Sequence, residues 1–456
     1  MKTKLKIALS FMVAFCVTNF SLKAQNTADT ASSFSITEAQ EFAVKNNANF
    51  LNAEIDQKIA IAKKREITGL GLPQINASFD VKDYLELPTS LLPGEFFGAP
   101  AGVFIPVKFG VKYNATFTGQ VSQLVFSSDY IVALQASKTY LELSEKATNR
   151  SKIETYSAVS KAYYQVLINQ ERIKLLEKNV VRIKKLRDDT KAFNDNGFVE
   201  QIDLDRIDVT YNNLVVELEK TKRLIGLTET MLKFQMGYDV SKQIVLKDKL
   251  DMDNLPAIDE KLATDSSKID FKNRIEYSLV ESQLKLGELD LKRYRLSYLP
   301  NVVAYGSLSA QAQRNEFDIF DTKKAWYPIA VIGGTVNLPI FDGFQKHYKI
   351  EQAKLSLLKT KNTVKGLENA ITLEVTSARV IYSNAIASLA TQKKNSELAE
   401  NVYNVSKKKY DAGVGSNLEV ITAETALKEA QTNYYNAMYD YLVAKVDLDK
   451  AIGTVK

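Results

Sequence analysis

Two stretches of the chain carry an apolar residue at every seventh position, and they lie 216 residues apart. The first is Leu204, Tyr211, Leu218, Ile225 and Leu232; the second is Val420, Leu427, Tyr434, Tyr441 and Leu448. A strict spacing of seven keeps one seam turned toward a partner helix and predicts coiled-coil-like packing. Each run begins after a glycine, Gly197 or Gly413, and stops at another, Gly237 or Gly453, forty residues later. Glycine adopts positive φ at little cost, which suits helix termination. Asp203 and Glu419 coincide as well. The chain therefore reads as an internal duplication of a long helical hairpin. That reading replaces the roughly three independent domains its 456 residues would otherwise suggest.

The hairpins are fed by equally long partners. From Phe126 to Asn194 no proline interrupts a helical pattern whose seam is Val159, Val166, Ile173 and Val180. At 1.5 Å per residue such a helix is on the order of 100 Å long. The turn Asn194-Asp-Asn-Gly197 closes it onto the partner ending near Met236, and a helix from Gly343 plays the same part for the second tip. Only 9 prolines and 19 glycines in the chain agree with long unbroken helices.

Before each long helix the period changes to two. Ala77, Phe79 and Val81 alternate with Ser78, Asp80 and Lys82; Val111, Tyr113, Ala115, Phe117 and Val121 alternate with Lys112, Asn114, Thr116, Thr118 and Gln120. In the second half, Val302, Ala304, Leu308 and Ala310 form one such run, and Ala330, Ile332, Val336 and Leu338 another. Strands are expected at about 74–87, 110–122, 300–313 and 328–339. Segments of about ten alternating residues suit a membrane barrel, apolar toward lipid and polar toward a lumen. A loop rich in Pro, Gly and Phe joins the first pair, and aromatics near the strand ends, Tyr84, Tyr298, Trp326 and Tyr327, suit an interfacial belt or loop packing.

Residues 1–24 have a lysine-bearing start, an apolar core from Ile7 to Phe20 and Ala24 before Gln25, the pattern of a cleaved secretory signal. Phe15 stands before Cys16 where a lipoprotein signal needs a small residue, so the exported chain is expected to carry no cysteine. Removing the four lysines of the leader lowers the formal charge from +6 to +2, and nothing in that balance predicts a nucleic-acid partner. Ser35-Ile-Thr-Glu38 has the form of a capping box and predicts a first helix running to about Thr68. The expected order is a signal peptide (1–24), a helix-strand-strand-helix repeat (25–237), an acidic and lysine-rich equatorial connector (238–268), and a second repeat (269–456).

Four membrane strands cannot stand alone, because an open sheet in lipid leaves unpaired backbone groups at its edges. Closed barrels begin at about eight strands, so two copies supply 8 and three supply 12. An oligomer is required, with the long helices forming a tube continuous with its barrel.

Leu338-Pro-Ile-Phe-Asp-Gly343, the tip Tyr410-Asp-Ala-Gly413, the duplicated plan and the leader together resemble the TolC-type outer-membrane efflux proteins. The resemblance implies a mainly α fold with a β membrane segment. Three copies would join a 12-stranded transmembrane barrel to a periplasmic α-helical barrel. It also implies the function, an exit duct of a tripartite efflux or type I secretion system for small toxic compounds or proteins. The implied partners are a periplasmic adaptor and an inner-membrane transporter, and the implied location is the outer membrane of a Gram-negative bacterium. The family's acidic constriction maps onto Glu419, six places after the second tip glycine, and onto Asp203 in the first repeat. Its tip tyrosine maps onto Tyr410, expected to hydrogen-bond near Asp203. A second acid and an arginine found in some members are Thr422 and Gly415 here, and Leu124 replaces the proline before Val125-Phe126.

A ring of carboxylates at a narrow pore gathers cations and repels anions. Asp203 and Glu419 would also suit helix N-termini on dipole grounds alone. Gly197, Phe198, Gly413, Val414 and Gly415 set apolar side chains on glycine turns and are the candidate adaptor-docking tips. Catalysis finds no support: the one histidine, His347, has no phosphate loop, metal-binding helix pair or nucleophile constellation beside it. No cofactor is expected. The alternative function is a periplasmic coiled-coil scaffold without a pore.

Overall fold

The computed structural model describes residues 32–98, 100–250, 269–321 and 323–455. The expected signal peptide and most of the connector, including Asp251 to Asp253, lie outside the described residues. Two repeats of closely matched dimensions make up the fold. In the first, α1 (Ile36–Asn46) and α2 (Ala48–Gly69) lead into strands β2 (Gln74–Asp83) and β5 (Tyr113–Phe126). The chain then returns through α3 (Ser128–Asp195) and α4 (Gln201–Met236). In the second, α5 (Ile275–Leu296), β7 (Asn301–Arg314) and β8 (Tyr327–Asn337) precede α6 (Gln345–Asp411) and α7 (Asn417–Ile452). Helix α2 and its counterpart α5 each have 22 residues, α3 and α6 have 68 and 67, and α4 and α7 each have 36.

The first helix differs from expectation. The Ser35–Glu38 capping box is present, but the helix breaks at Asn47 instead of continuing to Thr68. The Asn47 side chain accepts from the backbone N–H groups of Asn49 (2.9 Å) and Phe50 (3.3 Å), starting α2 afresh, and its own amide donates to Gln235 O at 2.7 Å. Two short strands not read from the sequence, β1 (Ser32–Phe34) and β6 (Ile244–Leu246), pair in parallel. Tyr163 in mid-α3 fastens this equatorial layer, donating to Phe34 O and sharing Asp248 Oδ2, each at 2.9 Å. Burial and the Asp248 carboxylate push its phenol above the ordinary tyrosine range.

The main sheet has the order β2-β5-β7-β8, antiparallel throughout. The central pairing, β5 with β7, joins one repeat to the other. Register aligns apolar residues on one face, as in the rows Ile75–Val121–Gly306–Ile332 and Phe79–Phe117–Ala310–Pro328. The opposite face carries Ser78–Thr118–Ser309 and Asn114–Gln313, with Thr118 and Ser309 hydroxyls 3.0 Å apart and Gln311 donating to Asn114 Oδ1 at 2.9 Å. Strand β8 is apolar on both sides, since Ile329 and Val331 oppose Ala330 and Ile332. At the end away from the helices, Trp326 and Ile319 of the β7–β8 connection fold back onto Ala115 and Ala312. The region between β2 and β5, read from sequence as a loop, contains a further antiparallel pair, β3 (Thr89–Pro93) and β4 (Phe104–Lys108).

The helices bury three clusters along their length. The half nearest the tips is a four-helix core in which Leu176, Ile183 and Leu186 of α3 meet Ile207 and Leu214 of α4, Tyr403 and Tyr410 of α6, and Val420 and Leu427 of α7. Each such leucine or isoleucine contributes about 1.5–3 kcal/mol on burial, so the two hairpins are held together by packing across repeats as well as within them.

Candidate pore gate and hairpin tips

Each hairpin tip is closed by glycine in the left-handed region: Gly197 has φ +78° and Gly413 φ +74°. Gly197 N–H donates to Asn194 O and Phe198 N–H to Phe193 O, both at 2.9 Å, while Asn194 Nδ2 reaches Val199 O at 3.0 Å. In the second tip Gly413 N–H donates to Tyr410 O (2.9 Å), and the N–H groups of Val414 (3.0 Å) and Gly415 (3.1 Å) converge on Lys409 O. A Cβ at Gly415 would lie 2.9 Å from Tyr410 N, so this position is confined to glycine by close approach. The turns leave Phe198 and Val414 pointing outward, 78% and 79% exposed. Local packing therefore does not account for these two side chains.

Asp203 and Glu419 each fall in the first turn of a helix, α4 and α7. Ser416 caps α7 by accepting Glu419 N–H at 3.2 Å. The two helix starts are tied together by Asn417, whose Nδ2 donates to Asp203 O at 3.1 Å. The Asp203 carboxylate faces Arg206 one turn on, at 3.4 Å. Glu419 is exposed and lines an open groove of about 540 Å³ with Val402, Ser406 and Thr422.

Tyr410 does not approach Asp203. Its hydroxyl lies 3.3 Å from Thr190 Oγ1 on α3, and its ring meets Phe193 edge-on at 6.4 Å. The reason is packing: Tyr410 is 9% exposed on the seam where α6 meets α3, while Asp203 starts the neighbouring helix. Lys407 lies 5.4 Å above the tyrosine ring and pairs with Asp411 at 2.6 Å.

About three turns inward from the tip lies a polar cluster that the sequence reading did not identify. Glu424 of α7, 3% exposed, accepts from Arg182 Nη2 (3.0 Å) and Nε (3.3 Å) of α3 through one oxygen, Oε1. The other oxygen is buried without a hydrogen bond. Arg182 also donates to Asn179 Oδ1 at 2.7 Å and lies 4.6 Å from the Tyr403 ring centre. Burial raises Glu424 above the ordinary carboxylate range in spite of Arg182, and burial together with the Glu424 carboxylate pushes Tyr403 up to about 12. A second ion pair, Lys428 with Glu217, joins α7 to α4 just beyond. The available signal was Glu424 standing on the seven-residue seam's flank, but its partner is 242 residues away.

Among the described residues no cluster of three or more His, Cys, Asp and Glu could hold a metal ion, and no helix is long and apolar enough to cross a membrane.

Residues 284–454 match the family model described as outer membrane efflux protein. The probable efflux pump outer membrane protein TtgC of Pseudomonas putida is 22% identical over 344 residues, covering 75% of this chain and 69% of the relative. TolC of Vibrio cholerae is 19% identical over 302 residues, covering 65% and 67%. The crystal structure of the outer membrane protein VceC of Vibrio cholerae aligns with a TM-score of 0.70 at 14% identity, over 92% of this chain and 96% of that one. With residues 284–454 matched to the outer membrane efflux protein family and its fold shared along nearly the whole length with VceC, the chain is similar to the TolC-type outer-membrane efflux proteins.

Proposed function

We propose that three copies of this outer-membrane protein close their sheets into a 12-stranded barrel, continued by their helices as a tube across the periplasm. The assembly is the exit duct of a tripartite efflux or type I secretion system, carrying small toxic compounds or proteins outward. The observation that supports this reading is the four-stranded sheet with one apolar face, one largely polar face and two unpaired edges, β2 and β8. Neither edge is tolerable in lipid. Because the strands alternate in direction from β2 to β8, β8 of one copy set beside β2 of the next continues the antiparallel pattern. The outward-facing apolar residues of α4 and α6, such as Val209, Val216, Val380 and Val402, supply the matching contacts in the tube.

In this duct Glu419, with Asp203 one helix away, lines the periplasmic constriction, and Tyr410 secures α6 beneath it. Phe198 and Val414, presented by Gly197, Gly413 and Gly415, meet the periplasmic adaptor that connects the duct to an inner-membrane transporter. The chain serves as a passage and not as a catalyst. Its histidine, His347, is exposed and packs edge-on against Tyr348 at 5.3 Å.

Planar-bilayer conductance of the detergent-purified mature protein, with particle mass determined in parallel, tests the reading. Discrete cation-preferring channels from a trimer are expected. A soluble, non-conducting particle would replace the duct by a periplasmic scaffold. Glu419→Ala is expected to weaken cation preference and block by divalent cations, and unchanged conductance and block would remove Glu419 from the gate. Aspartate at Phe198 and Val414 is expected to abolish export with assembly intact.

A further inference from the structure

The connection from β2 to β5 does not end in a short turn. Their ladder stops at Asp83 opposite Tyr113, then resumes at Thr89 opposite Lys108 and continues to Pro93 opposite Phe104. Backbone bonds from Tyr84 N to Lys112 O (2.8 Å) and from Phe109 N to Pro88 O (3.2 Å) carry pairing across the joint. β3 and β4 thus form a two-stranded arm beyond the end of the sheet farthest from the helices, adding about 17 Å of ladder at roughly 3.4 Å per residue. At the joint, residues 84–88 face residues 109–112, so one strand carries an extra residue. A mismatch of this kind bends a ribbon, and Gly110 at φ +116° supplies a backbone state closed to other residues.

The arm is apolar where nothing covers it. Leu91 is 66% exposed, Phe96 81%, Phe97 58% and Phe104 59%, and from Leu85 to Phe109 the only charges are Glu86, Glu95 and Lys108. An exposed apolar surface of this kind marks a contact. What covers it follows from where the arm is rooted. It continues β2, the edge strand that closure places against the next copy, so the arm prolongs the interface between copies. Rotational symmetry sets identical arms at one height around one axis, where each is the natural cover for the others. We propose that the arms of neighbouring copies bend at the Gly110 joint across the outer mouth and bury Phe96 and Phe97 against one another, narrowing the exit, without sealing it, with an apolar plug. The inference rests on the ring closure proposed above.

The chain's one cysteine, Cys16, lies in the expected leader, so Phe96→Cys gives the mature protein a single thiol. Disulfide formation requires Cα atoms within about 7 Å. Oxidation of that variant in outer-membrane vesicles is expected to give a dimer band on a non-reducing gel. The variant carrying Phe96→Asp and Phe97→Asp is expected to raise single-channel conductance roughly twofold or more, because a hydrophobic constriction gates by excluding water. A missing link or an unchanged conductance, in a particle that is trimeric and conducts, overturns the plug alone. A monomeric or non-conducting wild-type particle overturns the ring beneath it.

Discussion

Arg182→Ala strips the cation from a carboxylate with almost no access to water. Glu424 is 3% exposed, both of its hydrogen bonds from Arg182 enter one oxygen, and the second oxygen has none. Deleting one member of a buried pair costs about 3–5 kcal/mol. Arg182 keeps 26% of its side chain exposed, so water reaches the vacated space and the lower end, about 3 kcal/mol, applies. Lost stacking on Tyr403, 4.6 Å away, adds about 0.5–1 kcal/mol. The cluster joins α3 to α7, so the loss appears as easier local opening of those helices, read by amide hydrogen exchange in detergent. A total loss of about 3.5–4 kcal/mol accelerates exchange around residues 179–186 and 420–428 by roughly 400- to 900-fold. Replacing both partners, Arg182→Met with Glu424→Leu, is expected to return protection to within about 1 kcal/mol of wild type, because no charge is left buried. Exchange in Arg182→Ala within about threefold of wild type would refute the assignment. So would a double variant less protected than the single one.

Two further perturbations probe the same fold. Burial raises the Glu424 pKa above its unfolded value, so the folded state binds the proton more tightly and stability falls as pH rises through the raised value. Acidifying from neutrality toward the ordinary carboxylate range should therefore increase protection near Glu424 after correction for intrinsic exchange rates, and Glu424→Gln should abolish the trend. Glu276 has the opposite sign, because Arg274 outweighs its burial and lowers it, so its contribution is lost as pH falls through its folded value. Gly237→Ala and Gly453→Ala place a methyl group where φ is +67° and +77°, directly against the backbone of Asn46 in one repeat and 2.5 Å from Asn273 O in the other. Each should cost about 2 kcal/mol or more in thermal unfolding, whereas Gly226→Ala, with open space around it in mid-α4, should be stabilising by up to about 1 kcal/mol.

The long elements were legible because their signals are periodic over many residues. Leu204 to Leu232 and Val420 to Leu448 repeat every seven, and α4 and α7 follow; Ala115, Phe117 and Val121 repeat every two, and β5 follows. Elements decided by one or two contacts were not legible. Asn47 ends a helix whose apolar pattern continues past it, because its side chain competes for the backbone and finds Gln235 across the repeat. β1 and β6 have three residues each, too few for any period, and β3 and β4 are hidden by the prolines and glycines around them. At the tips, glycine positions and first-turn acids are local and were read directly. The partner of Tyr410 is Thr190 and the partner of Arg182 is Glu424, both set by how two hairpins pack, which spacing within one hairpin does not encode.

The pairing of β5 with β7 also governs when the sheet is able to form. Thr118 lies opposite Ser309, 191 residues later, so half of the main sheet waits for synthesis and export of the second repeat. Contacts between such distant segments form slowly, since a long loop must be closed before any pairing rewards it. The helical hairpins, by contrast, join near neighbours through tight tips and are able to condense early. In the interval β2 and β5 present apolar faces and a bare edge to water, the features that invite aggregation. The order of strands thus makes assembly of the membrane part a late event, and an unfinished chain ending after α4 would carry β5 paired with β2 but without β7.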